Sequence, residues 1–239
     1  MIATELEFRH RFWFICFVYF VGFGLYRFDH LNVVDALARW IFSTSDPDLN
    51  SVFARHSLHA SFALSAALAT AAAWARTWGA AYLQIEVVHG EDLHAEKLVA
   101  DGPYRHVRNP LYLGGLLLAV GMAMLASRTG AFVIVVGQSL IVLRLIGREE
   151  AALMQAQGES YRAFLAAVPR LWPSLRPRLP VGGMQPRWVQ AFLGEAWLWT
   201  FALNGFLFSW KMNLHLYGTI LWVSGAAYFL MRMGMKRWR

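Results

Sequence analysis

The chain has 239 residues, of which 57% are hydrophobic and 15% charged, and its formal net charge is +7. Soluble domains are only about 45–50% apolar, so this composition favours one bundle of membrane helices over one or two soluble domains. The single cysteine, Cys16, excludes an intrachain disulfide framework and a cysteine-based metal site.

Apolar segments recur along the chain and predict an all-α, polytopic membrane helical bundle. We expect about six transmembrane helices, because most segments are long enough to cross about 30 Å of hydrocarbon. The segments are 12–28, 57–75, 110–127, 130–147, 188–210 and 214–233. A shorter amphipathic stretch, 31–42, is expected at the interface. Residues 127–130 predict a tight hairpin between the third and fourth helices.

Lysine and arginine set the predicted orientation. With both termini in the cytoplasm, the inner side holds sixteen of the 22 basic residues, the outer side holds five, and Arg144 lies within the fourth helix. This asymmetry follows the positive-inside rule and requires an even number of spans. We therefore expect an integral membrane protein, in the inner membrane if the host is bacterial, that meets anionic lipid headgroups rather than nucleic acid.

Two cytoplasmic stretches, 76–109 and 148–187, are long enough to carry function. The second contains the start of a helix, Gly158, a short helix near 159–168, and a proline-rich exit that predicts an extended connector. We divide the chain into N-terminal helices with the interfacial segment (1–94), a core with the hairpin (95–175), and a connector with two final helices (176–239).

The stretch DGPYRHVRNPLYLGG, 101–115, places turn-forming and cationic residues at the mouth of an apolar helix. Asn109 and Pro110 predict the helix start, because Asn is a favoured N-cap and Pro fits the first helical position. Arg105 and Arg108, beside the free N–H groups of this helix end, predict an anion site. The alternative is that both arginines reach lipid phosphates. Gly114 and Gly115 permit close approach to the helix backbone.

A second stretch, 144–173, carries carboxylates at the inner end of the fourth helix. The hairpin brings Glu149 and Glu150 near Arg105 and Arg108, where they can balance charge or bind a ligand. A solvated charge cluster is the alternative. Tyr161, Arg170 and Trp172 follow at spacings that can cap the same pocket, although each taken alone fits simple packing.

These two stretches together resemble the isoprenylcysteine carboxyl methyltransferase family and the related phospholipid N-methyltransferases. The resemblance covers about 95–175. The matching positions are Leu98, Val99, Gly102, Pro103, Tyr104, Arg108, Asn109, Pro110, Tyr112, Gly114, Glu149, Glu150, Leu153, Gly158, Tyr161, Arg170 and Pro173. Asn109 and Glu96 stand where the family often has histidine, and the arginine expected about one turn before the paired glutamates is Arg144.

The resemblance implies a cytoplasmic pocket for S-adenosylmethionine, with S-adenosylhomocysteine as product. It implies Arg108, Glu149 and Arg144 as catalytic residues. It implies a cofactor site formed by Leu98, Val99, Tyr104, Arg105, Arg108, Asn109, Tyr112, Gly114, Glu149, Glu150 and Tyr161. Arginines suit the cofactor's carboxylate, the tyrosines its sulfonium, and a glutamate its ribose or amino group. The acceptor is expected to be a lipid-like or prenyl-linked small molecule, with O-methylation of a carboxylate favoured over N-methylation of an amine.

Two other functions stay open, an NADPH-dependent membrane reductase of related fold and a non-catalytic membrane protein. His89 and His94 have metal-ligand character but lack supporting partners, so no metal is predicted. Glu195, within the fifth segment, is a candidate for the substrate pocket, because carboxylates at membrane depth are often functional. The sequence does not determine the oligomeric state.

Overall fold

The structure is a computed structural model that describes residues 2–41, 47–83 and 99–237, without the side chains of 47–50, 53–55, 214, 229 and 231–237. Within these ranges the fold is all-helical, with 78% helix and no strand. The predicted fold class is therefore confirmed at the level of an α-helical protein.

The ten α-helices of the described residues follow the apolar segments closely. They are α1 (Glu5–Arg9), α2 (Arg11–Gly24), α3 (Val33–Ile41), α4 (Pro47–Tyr82), α5 (Pro110–Ala123), α6 (Arg128–Gln157), α7 (Glu159–Ala167), α8 (Trp188–Gly194), α9 (Ala196–Lys211) and α10 (Leu214–Arg237). Short 3₁₀ turns occupy Leu25–Arg27 and Gly102–Arg105. The predicted helix near 159–168 and the irregular proline-rich connector after it are both confirmed.

The fifth apolar segment differs from its prediction, because it is not one continuous helix. Helix α8 ends at Gly194, and Glu195 is both the C-cap residue of α8 and the N-cap residue of α9. Its backbone, with φ −101° and ψ 10°, leaves the regular helical path at this residue. The break places a carboxylate at the junction of two helices rather than two turns inside one.

Two helical segments are long and apolar enough to cross a membrane, His56–Tyr82 and Arg128–Gln157. Helix α5 is apolar but shorter. With 14 residues it is about 21 Å long at 1.5 Å per residue, less than the hydrocarbon thickness of about 30 Å. The six-span arrangement predicted from the sequence thus stays a prediction.

Small residues in the interior and large apolar residues on the surface are typical of a membrane protein. The buried apolar residues are mostly alanines, whereas many of the largest apolar side chains are exposed, including Phe20 (77%), Phe28 (82%) and Trp222 (83%). In a lipid bilayer the hydrophobic effect does not hold helices together, so they associate through close packing, which small residues permit. A broad exposed apolar surface is otherwise rare on a soluble monomer.

The start of the described chain and the second half of α10 lie at one end of the bundle. The backbone N–H of Ala3 donates to the carbonyl of Arg144 on α6. The Tyr228 hydroxyl on α10 donates to the carbonyl of Gly194, at the end of α8. The start of α5 and the end of α6 lie at this same end, because α5 and α6 form a hairpin closed at Ser127.

Candidate functional site

Helix α5 begins at Pro110 with Asn109 at the N-cap position, as predicted. The Asn109 side chain makes no capping hydrogen bond, and its amide donates instead to the carbonyl of Arg170, 3.1 Å away. The predicted N-cap position is therefore confirmed, but the side chain binds the connector that follows α7 and not the helix N–H groups. The residue ties the start of α5 to that connector.

Arg108 lies among carbonyls and a carboxylate. Its Nη1 donates to the carbonyls of Leu165 (2.6 Å) and Val168 (3.0 Å), at the end of α7. Its Nη2 lies 3.2 Å from the Glu150 carboxylate. Glu150 also accepts from Arg170, at 2.7 Å. The predicted approach of the second motif to the first is therefore confirmed, as two arginines sharing one carboxylate.

Tyr112 and Glu149 form the second contact across the hairpin. The Tyr112 hydroxyl on α5 donates to Oε1 of Glu149 on α6, 2.6 Å away. Because the two residues come from facing helices, this bond fixes the register of the hairpin at its inner end. We call Arg108, Tyr112, Glu149, Glu150 and Arg170 the inner polar cluster.

Tyr104 and Tyr161 form an aromatic wall beside this cluster. Both are buried and pack with Phe164 and Val168, and Val99 lies against them. Burial raises the pKa of Tyr104 above its usual range, the Glu149 charge raises it further, and the Arg76 charge lowers it. Burial likewise raises the pKa of Tyr161, with Glu150 adding to the effect. Both phenols stay protonated and serve as apolar surface with one donor each.

The proline-rich connector packs along the 3₁₀ turn Gly102–Arg105 and binds Arg105. The guanidinium of Arg105 donates to the carbonyl of Leu179 at 2.8 Å. Asp101 accepts from the backbone N–H groups of Gly182 and Met184, both at 2.8 Å, and these bonds lower the pKa of its carboxyl. Arg105 therefore supports the connector through Nε, and its predicted part in an anion site stays a prediction.

Arg144 is separated from the cluster by its contact with the N-terminal helix. Its Nε and Nη2 donate to the two carboxylate oxygens of Glu7, at 3.1 and 2.7 Å. The adjoining cleft has a volume of about 30 Å³, which is room for only one or two water molecules, and is lined by Ala3, Glu7, Phe14, Ile141, Arg144 and Leu145. The predicted catalytic role of Arg144 stays a prediction, since a ligand would have to displace Glu7.

Other predicted residues have varied placements. Gly114 is in close contact with α4, as expected. Trp172 is 87% exposed, so the expectation that it caps the pocket was wrong, because the connector turns its side chain outward. Leu98 lies outside the described residues, and so do His89, His94 and Glu96.

Sequence reasoning did not find the partner of Glu195. Its buried carboxylate accepts two hydrogen bonds from Arg76 of α4, both at 2.8 Å. The two residues are 119 positions apart. The only available signal was an arginine directly after one apolar segment and a carboxylate within another.

Residues 60–160 match the model of the phospholipid methyltransferase family. The chain's family resemblance is confirmed by this match. The matched region contains α5, α6 and most of the inner polar cluster, together with Arg76, whereas Arg170 and Glu195 lie beyond it. No curated protein and no solved structure matches the chain.

The donor set of the cluster fits the methyl donor that such enzymes use. A sulfonium cofactor with an amino-acid end brings a cation, a carboxylate and a ribose diol. Glu149 and two buried tyrosines suit the sulfonium cation. The buried Nε of Arg108 has no hydrogen-bond partner, and an oxygen of the cofactor could accept a hydrogen bond from it. Within the described residues there is no group of side chains with metal-ligand character.

Proposed function

We propose that this chain transfers a methyl group from S-adenosylmethionine to a lipid-like acceptor at the cytoplasmic face of the membrane. The observation that carries the proposal is the inner polar cluster. It lies largely within the region matched by the phospholipid methyltransferase family, at the end of the bundle where the basic residues concentrate. The cofactor is cytosolic, so the proposal requires this end to face the cytoplasm.

The cofactor, when bound, supplies an electrophilic methyl group on a sulfonium. Transfer then depends mainly on holding the donor and the acceptor in line. In this chain Glu149 offers a carboxylate fixed by the Tyr112 hydroxyl, which suits a cation or a hydroxyl pair. Tyr104 and Tyr161 line the cluster with buried aromatic surface that excludes water.

Two acceptor classes fit and make different demands on Glu149. An amine loses a proton for each methyl group it gains, and Glu149 is placed to accept it. A carboxylate acceptor needs no base, but needs a cation to orient it. An assay with an aminophospholipid and with a prenylcysteine analogue, each run on Glu149→Gln at saturating cofactor, distinguishes the two, because at saturation only amine methylation still suffers from the missing base.

The first test is calorimetric titration of S-adenosylhomocysteine into the detergent-purified protein. We expect binding by the wild type and at least about a tenfold loss of affinity, equivalent to ~1.4 kcal/mol, in Glu149→Gln. This substitution preserves shape, as does Tyr112→Phe. Arg108→Ala is a poorer test, because Arg108 also holds the end of α7.

Arg162→Gln is the matched control, because Arg162 forms an exposed ion pair with Glu159 on α7. The affinity of this variant for S-adenosylhomocysteine should equal that of the wild type. Absence of binding at millimolar ligand in folded protein would contradict the proposal. Binding of NADPH in its place would select a reductase.

A further inference from the structure

A bidentate ion pair joins the matched region to the C-terminal helices. Arg76 on α4 donates through Nε to Oε2 and through Nη2 to Oε1 of Glu195, both at 2.8 Å. The Glu195 side chain is fully buried, and that of Arg76 is 21% exposed. Bidentate geometry of this kind fixes the plane of the guanidinium as well as its position.

The surrounding residues hold Arg76 in place. Gly114 leaves the space that the side chain crosses, because a Cβ at this position would lie 2.4 Å from Arg76 Cγ. One residue along α4, Thr77 accepts from the indole N–H of Trp199 on α9, at 2.9 Å. Three helices therefore define where the guanidinium lies, which is more support than a surface ion pair receives.

One edge of the guanidinium is left for a ligand. Nε and one N–H of Nη2 point to Glu195, and among the described residues Nη1 has no protein partner. The charge of Arg76 is felt at Tyr104, whose pKa it lowers against the larger effect of burial. Gly114, which Arg76 crosses, is two residues from Tyr112 on α5, so the cation lies against the helix that carries part of the inner polar cluster.

Three other arginines near the site are differently engaged. Arg105 donates to a connector carbonyl, and Arg108 donates to two carbonyls and contacts Glu150. Arg170 also binds Glu150. Arg76, by contrast, is held by a carboxylate that leaves its outer edge open.

We propose that Arg76 binds the oxyanion of a ligand at the methyltransferase site, and that Glu195 is the residue that positions it. The ligand group is a carboxylate or a phosphate, supplied either by the amino-acid end of the cofactor or by the headgroup of a phospholipid acceptor. This inference rests on the proposed function. It assigns the C-terminal helices, which lie outside the matched family region, a part in completing the site.

The test compares two ligands that differ in the oxyanion. S-adenosylhomocysteine carries the carboxylate, and 5′-methylthioadenosine keeps the adenine, ribose and thioether without it. We expect Arg76→Gln to weaken the binding of S-adenosylhomocysteine by about tenfold to a hundredfold, the range for a charged hydrogen bond. The affinity for 5′-methylthioadenosine should not change. Glu195→Gln should reduce the same preference by a smaller factor.

Removing one member of a buried ion pair can destabilise the fold, because it leaves the other charge unpaired. The double variant Arg76→Gln/Glu195→Gln removes both charges, so that neither is left unpaired in the interior. It should show the same loss of preference as Arg76→Gln alone, because both substitutions act on one interaction. Arg128→Gln, which breaks an ion pair with Asp29 at the opposite end of the bundle, is the matched control and should keep the wild-type preference.

A second ligand pair identifies the source of the oxyanion. Short-chain phosphatidic acid and diacylglycerol of the same chain length are compared by the shift in melting temperature. Loss of the preference for phosphatidic acid in the double variant, with the nucleoside preference intact, assigns Arg76 to the lipid phosphate. Unchanged preferences in both pairs would overturn the inference. If neither nucleoside binds the wild type, the proposed function fails, and the lipid pair alone then decides the role of Arg76.

Discussion

Neighbouring glycines at positions 114 and 115 have opposite environments on α5. A Cβ at Gly114 would lie 2.4 Å from Arg76 Cγ and 2.9 Å from the carbonyl oxygen of Ala72, whereas a Cβ at Gly115 would meet nothing within 4 Å. The first glycine therefore sets how closely α4 and α5 approach, and the second does not. The sequence shows two equivalent glycines, and only the packing distinguishes them.

We expect Gly114→Ala to destabilise the protein by about 1–3 kcal/mol, the usual cost of overpacking. It should also weaken S-adenosylhomocysteine binding, because Arg76 must move. Gly115→Ala should be neutral or stabilising by up to about 1 kcal/mol, since alanine is the better helix former. Thermal unfolding in detergent measures the difference, and equal effects of the two substitutions would refute the packing argument.

Among the elements, the five-residue helix α1 is held on α6 by the buried Phe8 and by two carboxylates. Glu7 forms a capping box with Thr4 and binds Arg144 of α6 through both oxygens. A second ion pair, between Glu5 and Arg148, lies beside it. So short a helix is not stable by itself, and its position depends on these contacts.

The Glu7 contacts make the docking of α1 dependent on pH. The hydrogen bond from Arg144, followed by that from Thr4, lowers the pKa of Glu7 from 4.5 to about 2. A depressed pKa in the folded state means that the stabilisation is complete above about pH 4.5 and is lost as the pH falls through 2. We expect Glu7→Gln to lower the melting temperature at neutral pH and to remove part of its fall on acidification.

Glu159→Gln serves as the control for this experiment, because both side chains of the Glu159–Arg162 pair are exposed to solvent. Exposed pairs contribute little to stability, so this variant should follow the wild-type acid profile. A Glu7→Gln profile parallel to that of the wild type throughout the acid range would show that α1 is held by other contacts.

At the scale of the whole molecule, the structure and the charge pattern agree on which parts lie together. Ala3, Tyr228 and the inner polar cluster are at one end of the bundle, and the Asp29–Arg128 pair is at the other. The charge asymmetry predicts that the first end is cytoplasmic. Which side of the membrane each end faces stays a prediction.

Single-cysteine labelling tests this orientation on a Cys16→Ser background. Phe28→Cys and Leu175→Cys change exposed side chains, 82% and 99% accessible, at opposite ends. We expect a membrane-impermeant maleimide to label Phe28→Cys in intact cells and Leu175→Cys only after permeabilisation. The reverse pattern would place the proposed site outside the cytosol and contradict its use of a cytosolic cofactor.

The sequence by itself determined most of the helices, the hairpin, and the approach of the paired glutamates, Glu149 and Glu150, to the stretch that carries Arg105 and Arg108. These follow from local hydrophobic runs, from Pro110 at a helix start and from a tight turn at Ser127, all of which act over short distances along the chain. A hairpin necessarily brings the start of α5 to the end of α6, so the neighbours of the inner polar cluster could be predicted.

Only the tertiary structure decided which arginines are committed to the backbone and which carboxylate each cation binds. The irregular connector leaves carbonyls without helical partners, and Arg105 and Arg108 satisfy several of them. Glu7 and Arg144 are 137 residues apart, and Arg76 and Glu195 are 119 apart. Such pairs depend on which helix faces pack together, and small residues such as Gly114 determine that packing without any local pattern that would reveal it.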